Sequence, residues 1–345
     1  MLSLQALFGL IVFVGIAVLC SEKRQLPGWR LLLTGFGLQF LFAFGVFNIG
    51  FLQQFLSLLN DGVGAIVAAT ESGTLFVFGY LGGDPANVDY PFTVSEPGAT
   101  MVLAFRVLPL ILVFSVLSAI LWHYRILPQI VRGFSFVLQK SMNVSGAVGL
   151  SSAANIFIGM VESPALIRPY IKVLTRGELF IVMSCGMATI AGTVMVLYSV
   201  VLQGLLENPL GHIITASVIS APAAIMLAII MVPESEKVSG DDIKLHTEYH
   251  SLMDAITQGT ADGVKLMVNV GAMLLVLVAL VALLNSALSL LPFPGAEPIT
   301  LQKLFGYVFA PVSWLMGIPW SEAMAAGELM GIKTALNELL AFFAM

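Results

Sequence analysis

Charge is scarce in this chain. Asp, Glu, Lys and Arg make up 10% of its 345 residues, whereas a soluble domain, whose surface must face water, carries roughly a quarter. A surface this poor in charge faces lipid. One large soluble core would not explain the composition, because apolar runs recur along the whole length. Cysteine is almost missing too: Cys20 and Cys185 are the only two, both in apolar contexts, and imply neither a disulfide nor a metal site. The net charge of −5 is spread out, and without a basic patch nucleic acid is not a partner. No nucleophile–base pair, metal-ligand spacing or phosphate loop stands out, so nothing points to an enzyme. The first apolar run, Leu2–Cys20, lacks the basic start and small-residue end of a cleaved signal and reads as a spanning helix.

What is present is hydrophobic sequence, 58% of the chain, with a mean hydropathy of +0.97. In lipid the backbone must satisfy its own hydrogen bonds, which leaves helices or closed barrels. Barrel strands alternate apolar and polar over about ten residues. Here the runs are continuous, as in Gly271–Leu283. Helices are expected, with spans over about 2–20, 31–58, 101–122, 178–206, 211–232, 264–286 and 322–345. The stretches 146–175 and 300–321 are apolar but interrupted by Gly, Pro or charge.

The cations sort to one side. Lys23, Arg24 and Arg30 follow the first span, and Arg125, Arg132 and Lys140 follow the third. Arg168, Lys172 and Arg176 precede the fourth, and Lys237 and Lys244 follow the fifth. Between Arg30 and Arg106 only acids occur. By the positive-inside rule the basic segments are cytoplasmic, 59–100 is external and the N-terminus lies outside. Lys140 and Arg168 then share a side, so 146–175 enters the membrane and returns as a re-entrant hairpin. The stretch 300–321, with Gly306, Pro311, Gly317 and Pro319, is a second hairpin candidate from the outside. Paired re-entrant elements of this kind occur in inverted-repeat secondary transporters.

Several polar residues interrupt the hydrocarbon. Glu162 precedes Ser163-Pro164, where proline breaks the helix. A carboxylate at membrane depth needs a partner or a cavity, unless this one is merely interfacial and solvated. Asn337 and Glu338 stand in an apolar final segment and suit a sugar hydroxyl or a cation; the alternative is a helix-packing polar pair. In Met187–Val194, Gly192 and its small and β-branched neighbours could loosen the helix, exposing carbonyls for a cation beside the Thr189 hydroxyl. Close helix packing is the competing reading. Asn155 precedes Glu162 by seven residues, which puts both on one face if the helix is continuous. The methionines form no ordered stripe. His246 and His250 are four apart, but no third ligand lies near them. Glu234–Asp242 reads as a solvated turn before an amphipathic surface helix near 243–258.

From about Trp29 onward the chain resembles the concentrative nucleoside transporter family. The blocks that carry the resemblance include Arg106-Val-Leu-Pro109, Ala153-Ala-Asn-Ile-Phe-Ile-Gly159 and Glu162-Ser-Pro164. Others are Cys185–Val194, Gly306-Tyr-Val-Phe-Ala-Pro311 and Lys333-Thr-Ala-Leu-Asn-Glu338. The resemblance implies an all-α, polytopic fold with re-entrant hairpins and broken transmembrane helices. It implies a sodium- or proton-coupled nucleoside symporter of the inner (plasma) membrane, working as a homotrimer by an elevator motion. Residue by residue, it puts Met160, Val161 and Glu162 at the first hairpin tip against the nucleobase, with Val194 packed on it. Asn337 and Glu338 fall at the ribose end. Asn155, the Ile158 carbonyl, Thr189 and the Ile190 carbonyl form a sodium site. Two departures stand out. The family tip usually reads Gly-Gln-Thr-Glu, whereas here it is Gly159-Met160-Val161-Glu162, so two base-facing polar groups are apolar. The family also continues past the Asn-Glu motif into another helix, so the chain reads as truncated.

The expected organisation is N-terminal and scaffold helices over 1–100, a gate-like region over 101–206 and a C-terminal core over 207–345. The leading expectation is cation-coupled nucleoside import. Its rivals are the same fold carrying a less polar solute, and a non-transporting homologue.

Overall fold

The computed structural model describes residues 2–83, 88–95, 100, 102–160, 162–233, 249–290 and 300–345, without the side chains of residues 2, 3, 162 and 165. Among these the fold is helical throughout, with one isolated bridge, Gln203 to Leu206, in place of any strand. The chain divides into two compact units. The larger runs from Ser21 to Met267 and the smaller joins Met1–Cys20 to Val268–Met345.

The larger unit begins with α1's successor, α2 (Trp29–Asn48), counting α1 (Leu2–Leu19) in the smaller unit. There follow α3 (Gly50–Phe78), the short α4 (Leu103–Arg106), α5 (Pro109–His123) and α6 (Ile126–Met142). Next come α7 (Gly146–Asn155), α8 (Glu162–Leu166), α9 (Arg176–Ala188), α10 (Gly192–Val201) and α11 (Pro209–Met231). The helix α12 (Leu252–Leu288) crosses the boundary and leads to α13 (Leu301–Leu315), α14 (Trp320–Ala335) and α15 (Glu338–Phe343). Among the described residues, six stretches are long and apolar enough to cross a membrane. Their large side chains point outward: Phe76 is 92% exposed and Leu275 72%. That reverses a soluble protein and matches a lipid solvent.

At the centre of the larger unit lies α7, all ten of whose residues are buried. Its sequence, Gly-Ala-Val-Gly-Leu-Ser-Ser-Ala-Ala-Asn, is made mostly of small residues, so α6 and α9 approach it closely. Basic segments gather at one end of this unit. Arg176, at the start of α9, pairs with Glu22 at 2.6 Å, and the Glu22 N–H bonds the Met231 carbonyl at the end of α11. The shared sidedness of these cationic segments therefore matches the charge pattern.

Four expectations need correction. The 31–58 span is two helices, because Ile49 leaves helical geometry (φ −91, ψ 106). The 59–100 segment, expected to lie outside, begins within helix α3, which runs to Phe78. A lack of cations indicates a side of the membrane, not the absence of helix. The 300–321 hairpin is larger than expected, with α13 and α14 as limbs and Gly317 (φ 99) at the tip. Gly306 and Pro311 lie inside α13 rather than at its turn. The final 322–345 span is broken, since Leu336 (φ −118, ψ −91) ends α14. The expected surface helix near 243–258 lies partly outside the described residues, as do Glu234–Asp242 and His246; from Leu252 onward that stretch belongs to α12.

Candidate functional site

Two helices stop inside the larger unit, and their broken ends meet. The first, α7, ends at Asn155, and the chain turns through Ile156–Met160 before α8. Asn155 and Glu162 therefore do not share one continuous helix face, as their spacing had implied. The second break separates α9 from α10 at Thr189–Ala191, where Thr189 is extended (φ −104, ψ 160). The joint between the breaks is a hydrogen bond from the Gly192 N–H to the Phe157 carbonyl at 3.2 Å. Only glycine fits there, because a Cβ on Gly192 would run into the Phe157 backbone. The Ile190 N–H reaches the Ser217 hydroxyl of α11 at 3.3 Å, which ties the break to a third helix.

Oxygen collects at this joint. The Thr189 hydroxyl lies 2.9 Å from the Cys185 carbonyl and 3.2 Å from the Asn155 carbonyl, and its single proton is shared between them. Its lone pairs remain. The Asn155 side chain is 1% exposed, yet neither its oxygen nor its nitrogen has a partner among the described residues. No described backbone N–H donates to the Ile158 or Ile190 carbonyls. Four sequence-predicted positions, Asn155, Ile158, Thr189 and Ile190, thus lie at one joint and supply neutral oxygens. Helix breaks of this kind hold cations in transporters through carbonyls that no longer pair within a helix. No cluster of three His, Cys, Asp or Glu side chains stands among the described residues. The donor set fits a hard monovalent ion rather than a transition metal.

Around the joint stand the other predicted residues of this unit. Met160, 58% exposed, lies in the turn after α7, its Cβ over the face of Gly186. Val194 is half-buried in the first turn of α10. The backbone of Glu162 opens α8, but its side chain lies outside the described residues, as does Val161. Behind α8, the buried Ser151 and Ser163 hydroxyls bond each other at 2.9 Å and pin the hairpin limbs together. The sequence reading gave no role to this pair or to Ser217, since each acts through a partner distant along the chain.

In the smaller unit the predicted pair sits at another break. The Asn337 carbonyl oxygen of the side chain accepts the Leu340 N–H at 3.0 Å, capping α15. Its amide NH2 is left for another acceptor. The Glu338 carboxylate pairs with Lys333 at 3.7 Å and is half-buried. Near the opposite end of this unit, the Gln5 amide of α1 donates to the Trp314 and Ile318 carbonyls, gripping the α13–α14 tip.

Helical hairpins, helices broken beside a buried oxygen cluster and a lipid-facing surface define a class: a multi-pass secondary transporter. Family models agree residue range by residue range. Residues 8–81 match the Na+ dependent nucleoside transporter N-terminus, 104–205 a gate domain described as nucleoside recognition, and 212–345 the transporter C-terminus. A Haemophilus influenzae uncharacterized transporter is 35% identical over 98% of this chain and 78% of its own length. The Helicobacter pylori nucleoside permease NupC is 32% identical over 99% of this chain and 79% of its own. The solved structure of CNTnw in an inward-facing substrate-bound state matches with a TM-score of 0.87 at 34% identity, covering 100% of this chain and 79% of that one. The chain belongs to the Na+-dependent nucleoside transporter family.

Proposed function

We propose that this protein imports nucleosides across the inner (plasma) membrane by cation symport, with sodium rather than the proton as coupling ion. One observation carries the choice of ion: at the meeting point of two helix breaks, Asn155 buries an unpartnered side-chain amide while its backbone carbonyl takes the Thr189 hydroxyl. Neutral oxygens coordinate a sodium ion without changing protonation, whereas proton coupling needs a titratable group. Asn155, Thr189 and the carbonyls of Ile158 and Ile190 hold the ion. Glu162, with Met160, Val161 and Val194, faces the nucleobase, and Asn337 with Glu338 takes the ribose hydroxyls. The family resemblance supports these roles, a homotrimer and an elevator motion of the substrate-bearing part.

The test is uptake of labelled uridine and adenosine into proteoliposomes. An inward sodium gradient should drive accumulation that an equal choline gradient does not. Accumulation driven by a proton gradient with sodium absent would assign the coupling to the proton. No gradient-dependent accumulation would sink the symport reading.

A second reading rests on Met160, exposed at the hairpin turn where the family usually has a polar residue. An apolar group there favours a less polar solute, since a site lacking hydrogen-bond partners discriminates bases weakly. On that reading, Met160→Gln combined with Val161→Thr raises nucleoside affinity, whereas the wild type binds nucleosides poorly.

A further inference from the structure

At the end of α7 opposite the oxygen joint, about 15 Å away by helix rise, the chain opens a cavity of 540 Å³. Ser145 occupies the N-cap position there but makes no capping bond. Its hydroxyl is buried and unpartnered, the residue being only 2% exposed, and Ser145 is among the residues that line the cavity. The next three residues, Gly146, Ala147 and Val148, are also buried, and among the described residues no acceptor takes their N–H groups. A buried helix start with four idle donors is costly unless something arrives to accept from them. The helix dipole adds partial positive charge at the same place, so the missing acceptor is anionic. Arg30 lines the same cavity and supplies a full positive charge. The remaining wall joins apolar side chains, Leu31, Val148, Ile229 and Val232, to polar ones, among them the buried Glu178, whose carboxylate accepts the Thr175 N–H of the α9 capping box at 3.0 Å.

We propose that this cavity binds a phosphate-bearing anion, held by the α7 N-terminus, the Ser145 hydroxyl and the Arg30 guanidinium. Phosphate suits the site because its several oxygens accept from backbone N–H groups and a guanidinium together. The apolar wall matches a phospholipid as its source, with chain carbons along Leu31, Ile229 and Val232. Arg176 belongs to the same region, since the next two residues, Gly177 and Glu178, line the cavity with Arg30. The proposal is independent of the transport reading, because it concerns the other end of α7.

The test compares three ligands on the purified full chain in a neutral detergent at constant ionic strength. They are inorganic phosphate, phosphatidylglycerol and phosphatidylcholine, read by thermal unfolding and by lipid retention in native mass spectrometry. Two variants separate binding from folding. Arg30→Gln changes an exposed side chain, and Ser145→Asp caps α7 internally, keeping the fold while presenting like charge to an anion. Wild type should be stabilised by phosphatidylglycerol over phosphatidylcholine. Affinity should fall about tenfold in Arg30→Gln and further in Ser145→Asp. Stabilisation by inorganic phosphate that the variants lose would keep the site and assign it to a soluble anion. The proposal is overturned if no phosphate-bearing ligand binds, or if both variants bind as the wild type does.

Discussion

A primary amide taken out of water without a partner costs about 1–3 kcal/mol, and Asn155 leaves both of its side-chain polar atoms in that state. Folding gains nothing from this, and the proposed ion site accounts for the residue by giving its oxygen a partner. Removing it should therefore leave the fold nearly untouched. Asn155→Ala is expected to unfold within a few degrees of the wild type while losing the rise in Tm that sodium chloride gives over choline chloride. A sodium response that survives the substitution would move the ion elsewhere. Gly192 makes the opposite prediction. A Cβ there meets the Phe157 backbone, which cannot swing aside as a side chain could, so Gly192→Ala should cost about 1–3 kcal/mol. Gly133→Ala is the control: with nothing within 4 Å of its Cβ, it should be neutral or slightly stabilising. Thermal unfolding of both variants checks the contrast. Asn155, Thr189 and Gly192 were legible in the sequence as polar or flexible residues in hydrocarbon. Their meeting at one site came only with the family resemblance, because the bond from Gly192 to Phe157 links residues 35 positions apart that no local pattern connects.

Elements show the same division. Composition and charge gave the helical class and the shared side of the cations. Pro164 marked the first hairpin, and small residues around Gly192 marked the broken fourth span. The misreadings came where hydropathy alone drew the boundary. Apolar runs over 31–58 and 322–345 look continuous, but Ile49 and Leu336 depart from helix within them, and hydropathy does not register a change of backbone angle. A second signal went unread. Gly327 and Gly331 are four apart on α14, and both face α13 closely: a Cβ on Gly327 would stand 2.7 Å from the Gly306 carbonyl, and one on Gly331 would meet the Phe305 side chain. Gly259 and Gly263 repeat the spacing on α12, where each would crowd α5 at 2.9 Å. In lipid, helices gain little from burying apolar surface, so close backbone approach through small residues carries the association. Gly327→Val should therefore destabilise the hairpin by about 1–3 kcal/mol, seen as a lower Tm in detergent. Gly62→Ala in α3, where nothing lies within 4 Å, should not. Equal stability of the two variants would mean that the limbs are held by something other than their glycine faces.

For the molecule as a whole, the central quantity is the coupling between ion and substrate. The proposed ion site joins the end of α7 to the break before α10. The turn bearing Met160 and the first turn of α10 bearing Val194 grow directly from those two ends. Sodium at the joint would therefore fix residues assigned to the nucleobase, and substrate would fix the residues that hold sodium. Thermodynamic linkage makes this reciprocal: if sodium raises nucleoside affinity by some factor, nucleoside raises sodium affinity by the same factor, typically about 5–150-fold. Titration calorimetry in lipid nanodiscs measures both arms, nucleoside into protein with sodium or choline, and sodium into protein with or without saturating nucleoside. Equal factors well above one are expected in the wild type. In Asn155→Ala both should fall to about one while weak nucleoside binding persists, because the substrate's own contacts are untouched. A wild-type factor of one would separate the oxygen joint from transport, leaving its idle amide without a function. Strong coupling that survives in Asn155→Ala would keep the symporter but place its ion at a different break, for which Asn337 and Glu338 are the next residues to substitute.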